Sequence, residues 1–126
     1  MDNLPINIQN AINKFVEESK KILGKRIKKI ILYGSYARGD YNNSSDIDIL
    51  VLTDYKQTQF YAALKKLSSM TYDIELDYNV ILVPLINNIN NYNDEIDEIP
   101  FYMNIKKEAS CNKWKMKIDN KIPPNI

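Results

Sequence analysis

Histidine is absent from the 126 residues, and that one absence excludes Ser-His and Cys-His nucleophilic machinery together with every His-containing metal site. Cysteine occurs once, as Cys111. An intramolecular disulfide framework and a Cys-based zinc site are therefore excluded, and an ordinary thiol suits a reducing cytoplasm. Charge of a prevailing sign is also missing: 17 Lys and Arg against 16 Asp and Glu leave a net +1. That balance gives no general attraction to nucleic acid or to a membrane surface, so no direct nucleic-acid binding is expected. The start, Met1-Asp2-Asn3-Leu4-Pro5, carries neither a cationic signal-peptide opening nor an unbroken apolar span, and a cytoplasmic protein without membrane association is expected. Any chemistry must rest on carboxylates, hydroxyls, lysines, arginines and metal.

The length fits one domain with one core. We expect a single domain over residues 1–120 and a flexible tail over 121–126, where Pro123-Pro124 falls. Ile8, Ala11, Ile12, Phe15, Ile22 and Leu23 recur at helical spacing between Pro5 and Gly24, which predicts an amphipathic first helix. Lys25, Arg26, Lys28 and Lys29 then read as a solvated linker into the buried strand Ile30 to Tyr33, which Gly34 stops. Tyr36-Ala37-Arg38 suits one helical turn, and Tyr41 to Ser45 has the composition of a loop. A second strand is predicted from Asp46 to Leu52. Thr53-Asp54 offers a cap for a helix from Gln57 to Tyr72, extendable to Asp77, whose stripe is Phe60, Ala63, Leu64, Leu67 and Met70. Val80 to Leu85 reads as a third strand, placed near an edge by Pro84. The Asn-rich stretch from Asn87 to Asp97 has no clear period, Pro100 opens a last helix through Lys107, and Trp114, Met116 and Ile118 alternate as a final edge strand would. The fold class expected is α+β: a small mixed sheet of three to five strands with helices on one side.

Asp46 and Asp48 lie two apart on a predicted strand, so both side chains leave one face with Cα atoms ~6.5–7 Å apart. Ile47 and Ile49 then point the other way, into the core. Two like charges on one face repel unless a cation lies between or beside them. Hard oxygen ligands suit Mg²⁺ shared with substrate phosphates; an Asp-x-Asp alone also reads as a solvated turn. Twelve positions before Asp46, directly after the first strand, stands Gly34-Ser35. Gly34 clears space for a backbone approach and Ser35 offers a hydroxyl and an amide, which together can cradle phosphate.

Leu32-Tyr33-Gly34-Ser35-Tyr36-Ala37-Arg38-Gly39-Asp40, followed by Ser44-Ser45-Asp46-Ile47-Asp48-Ile49-Leu50-Val51, closely resembles the minimal nucleotidyltransferases of the DNA polymerase β superfamily. The specific match spans about residues 30 to 52, and the element order supports it to about residue 86. The resemblance implies that Gly34 and Ser35 hold a nucleoside triphosphate while Asp46 and Asp48 bind one or two Mg²⁺ ions. Arg38 is a candidate phosphate contact, with a surface ion pair to Asp40 as its alternative. Ser45 is a candidate nucleotide contact whose simpler role is to cap the turn. Active members of the superfamily usually supply a third carboxylate from a neighbouring strand. Asn79 to Leu85 contains no acid, and Asp77, just before it, is the candidate only if that strand begins early; otherwise Asp73, Glu75 and Asp77 are solvated residues at a helix end.

Members of this size are often antitoxins paired with a HEPN-domain ribonuclease toxin. The resemblance therefore implies AMP transfer from ATP to a tyrosine of such a partner. Two other readings stay open: a weak or inactive nucleotide-binding module that neutralises the HEPN partner by docking, and an antibiotic-modifying small-molecule nucleotidyltransferase. The latter generally needs a second helical domain or a dimer. The sequence leaves both a homodimer and a hetero-oligomer open.

Overall fold

A computed structural model describes residues 4–110 of the chain. Helix α1 (Ile6–Leu23) starts after Pro5, whose carbonyl accepts from the N–H groups of Ile8 and Gln9 at 3.0 Å. It ends at Gly24, which adopts φ 59°, a conformation glycine takes without steric cost. Ala11, Ile12 and Phe15 on its inner face are fully buried. A short 3₁₀ turn leads into β1 (Ile27–Tyr33).

The strand begins three residues earlier than its apolar run. Lys28 and Lys29, read above as linker, lie on it, beside a register shift between Ile27 and Lys29. An edge strand admits such lysines because its outer side meets water.

After α2 (Ser35–Arg38) and a loop comes β2 (Ile47–Thr53), then α3 (Phe60–Tyr78), which a 3₁₀ turn at Gln57–Gln59 introduces. The expected Thr53-Asp54 cap serves a different purpose. Thr53 ends the strand, where its hydroxyl accepts from Tyr55 N–H at 3.1 Å and donates to the Asn87 carbonyl at 3.2 Å. β3 (Leu82–Asn88), α4 (Ile89–Glu95) and α5 (Pro100–Ser110) complete the described chain. β3 starts two residues later than predicted and runs three further. The final strand expected around Trp114 and the tail at 121–126 lie outside the described residues.

The sheet order is β1-β2-β3, with β1 and β2 antiparallel and β2 and β3 parallel. A mixed, three-stranded α+β sheet is thus realised among the described residues. Pro84 sits on an edge strand, where its missing N–H costs no ladder bond.

The alternation of β2 divides its side chains between two clusters. Ile47, Ile49 and Val51 pack with Ile30 and Leu32 against α1 and α3. Leu50 and Leu52 face the other way with Ile31 and Tyr33, covered by Tyr92 of α4 and Ile105 of α5. Each such fully buried aliphatic side chain stabilises the fold by about 1.5–3 kcal/mol over an exposed one. The helices expected on one side are α1 and α3; α4 and α5 add a second, partial layer on the opposite face. That second face ends at Asp48.

Candidate active site

β1 delivers Gly34 and β2 delivers Asp48 to the same corner, because Tyr33 pairs directly with Asp48 across the antiparallel ladder. Gly34 is buried with φ 81° and ψ −158°, a region that glycine alone occupies readily. A Cβ built on it would lie 2.1 Å from Asp48 Oδ2. Backbone and carboxylate are therefore packed against each other, and glycine is required for space as well as for conformation.

Ser35 opens α2, while the Gly34 carbonyl accepts from the N–H groups of Ala37 and Arg38 at 3.0 Å. Gly39 ends the turn at φ 94° and donates its N–H to the Ser35 carbonyl at 2.8 Å. The loop back to β2 is held at two points. Tyr41 stacks on Tyr36 with ring centroids 4.7 Å apart. Asn42 N–H donates to Ser45 Oγ at 2.9 Å, and Ser44 N–H donates to Asn42 Oδ1 at 2.7 Å. Ser45 thus closes the turn that leads into the strand, the simpler of its two expected roles.

Asp46 is exposed immediately before β2 and Asp48 is half-buried at the strand's second position. Asp48 shares its face with Leu50 and Leu52, while Ile47 and Ile49 enter the main core as expected. Burial raises the Asp48 carboxyl above its ordinary range. The charges of Asp46 and Glu108 push the same way, and Arg38 opposes them. Tyr33 beside it is pushed up to about 12, by burial first and then by the charges of Asp48 and Glu108. Its hydroxyl keeps its proton at neutral pH.

Among the described residues, no group of three or more Asp, Glu, Cys or His side chains is arranged to hold a metal ion. Asp77 is exposed in the last turn of α3, a helix packed on the other sheet face, and among the described residues it forms no metal-holding group with Asp46 and Asp48. Glu75 instead accepts from Leu82 N–H at 2.9 Å and ties the helix end to β3. The donor set that remains is two carboxylates, one open to solvent and one whose charge is disfavoured by its surroundings. It fits a Mg²⁺ ion that takes its other ligands from substrate phosphate and water.

Arg38 forms the ion pair with Asp40 that was its alternative role, Nε to Oδ2 at 3.1 Å. It also reaches Glu108 of α5, Nη1 to Oε2 at 3.0 Å. The other oxygen of Glu108 accepts from Gly34 N–H at 2.9 Å. Sequence reasoning missed Glu108. It stands 74 residues from Gly34, and no local pattern distinguishes it from other helix-surface acids.

A Gly-Ser turn thus packs against Asp48 of β2, with Asp46 immediately before that strand. Residues 12–114 match the family of the nucleotidyltransferase domain, and the chain belongs to that family. It is similar to two proteins of Methanocaldococcus jannaschii, each named "Putative protein adenylyltransferase". One is 37% identical over 82% of this chain and 96% of its own length, the other 31% identical over 77% and 96%. A solved structure of a "putative nucleotidyltransferase" from Sulfolobus solfataricus covers 79% of this chain and 86% of its own, at 22% identity and a TM-score of 0.39. The chain is a transferase of the nucleotidyltransferase class.

Proposed function

We propose that this nucleotidyltransferase moves AMP from ATP onto a hydroxyl of a protein, with a tyrosine of a HEPN-domain toxin as acceptor and the chain acting as its antitoxin. The observation that carries the reading is the packing of the Gly34 backbone against the Asp48 carboxylate, which brings the Gly-Ser turn beside the two acids. The names borne by its two relatives support a protein acceptor. Gly34 and Ser35 would hold the triphosphate and Arg38 would contact it through its planar fork. Asp46 and Asp48 would hold Mg²⁺, which when bound supplies charge neutralisation on the pyrophosphate leaving group and lowers the pKa of the attacking hydroxyl. Asp48 would gain a counter-charge from this ion, since burial and the charges of Asp46 and Glu108 outweigh the opposing charge of Arg38.

A second reading has its own observation. The described residues show no third carboxylate arranged with Asp46 and Asp48 to hold a metal ion, which favours a nucleotide-binding module that neutralises the partner by docking alone. The deciding experiment incubates the chain with α-labelled ATP, Mg²⁺ and the HEPN-like product of a neighbouring gene, alongside Asp46→Ala and Asp48→Ala. Label on the partner from wild type alone supports transfer. If no label moves and the partner is still inhibited, the docking module stands and the transfer reading fails.

A further inference from the structure

The carboxylate of Glu108 lies across the two groups assigned above to nucleotide phosphate. Its Oε1 takes the Gly34 N–H at 2.9 Å and its Oε2 takes Arg38 Nη1 at 3.0 Å. A single N–H cannot serve two anions well, and a carboxylate beside a triphosphate repels it. Occupancy by Glu108 and by phosphate is therefore mutually exclusive. We propose that Glu108 is a built-in occupant of the donor's phosphate subsite, which α5 must withdraw before a nucleoside triphosphate binds; this rests on the nucleotide reading above.

The local energetics make the contact a releasable one. Glu108 is carried on α5, outside the sheet that holds the Gly34 and Asp48 corner. Its pose is held by the two hydrogen bonds and by the seating of the helix through Ile105 in the second cluster and Phe101 on the edge of Tyr33, 5.9 Å between centroids. Arg38 is shared with Asp40, so the guanidinium is not committed to Glu108 alone.

The direction of approach separates this role from that of a third metal ligand. Asp48 is flanked by Tyr33 of β1 and Val83 of β3. Glu108 reaches in on the β1 side, against Gly34 and Arg38. The neighbouring strand that would carry a third acid is β3, on the other side.

The test compares MgATP affinity by calorimetry for wild type, Glu108→Gln and Glu108→Ala, with hydrogen exchange across residues 100–108 of wild type with and without MgATP. Removing one charge-assisted competitor should tighten binding by about tenfold or more in both variants, and MgATP should speed exchange in wild-type α5. Equal or weaker affinity in the variants, or exchange in α5 that saturating nucleotide leaves unchanged, overturns the proposal while the nucleotide reading stands. Unchanged affinity with lost label transfer would overturn it in favour of Glu108 as the third acid. Absence of MgATP binding in all three proteins removes the nucleotide reading, and this proposal with it. The exchange measurement on wild type decides the matter even if the variants fold poorly.

Discussion

Replacing Gly34 with alanine separates backbone strain from displacement of a site carboxylate. At φ 81° and ψ −158° a non-glycine residue costs on the order of 1–3 kcal/mol, a loss that a domain stable by roughly 5–15 kcal/mol survives. The new methyl would start 2.1 Å from Asp48 Oδ2, and carbon atoms of that kind essentially never approach closer than 3.0 Å. The carboxylate must therefore retreat by about 0.9 Å. A misplacement of about 1 Å in a reacting assembly costs on the order of 100-fold in rate. Gly39→Ala is the matched control, since Gly39 also has positive φ, at 94°, but its built Cβ meets nothing within 4 Å. Urea denaturation should show both variants destabilised by amounts of the same order. Label transfer from α-labelled ATP, per folded molecule, should fall about 100-fold for Gly34→Ala and hold for Gly39→Ala. Equal activities in the two variants would refute the claim that Gly34 sets the position of Asp48.

Asp48→Asn should modestly stabilise the nucleotide-free protein at pH 7, because burial and then the charges of Asp46 and Glu108 disfavour the carboxylate, while abolishing label transfer. Because the folded state holds the Asp48 proton above its ordinary 3.8, wild-type stability should fall as pH rises from that value through the folded titration, and the variant should lack this component in urea midpoints measured against pH. Phe15→Ala removes a ring that is 0% exposed in the α1 layer and should cost about 3–5 kcal/mol, read as a lower denaturation midpoint. Asn88→Ala should cost about 0.5–2 kcal/mol, because the Asn88 side chain accepts from the N–H groups of Asn90 and Asn91. Faster amide exchange in α4 than in α1 is the local signature.

The parts of the fold that repeat a period were readable before any coordinates. The α1 stripe from Ile8 to Leu23, save for Ile22, which is exposed, and the β2 alternation around Ile47 and Ile49 each point one way because one face is buried and the other is not. Edges were harder. Lys28 belongs to β1 although its charge suggests a linker, since an edge strand tolerates a charge on its open side. α4 hides in an Asn-rich stretch because its start depends on one side-chain cap at Asn88 rather than on apolar spacing. The Gly34 to Asp48 corner was legible because both halves are short, local motifs. Glu108 was not, because its meaning lies entirely in a contact with a residue 74 positions away along the chain. Asp77 was a reasonable candidate by position along the chain, yet α3 carries it on the other layer.

The direct pairing of Tyr33 with Asp48 has a consequence for how such sites vary. The spacing between Gly-Ser and the two aspartates looks like a ruler, but the distance between them in space is set by one rung of an antiparallel ladder. The intervening loop is held by the Tyr36 and Tyr41 rings and does not itself set that distance. Lengthening it near Asn43 should leave the corner intact. A slip of one residue between β1 and β2 would turn Asp48 toward the core and present Ile47 in its place. Hydrophobic packing on the two sheet faces, chemically remote from any nucleotide, is therefore what keeps the carboxylates aimed.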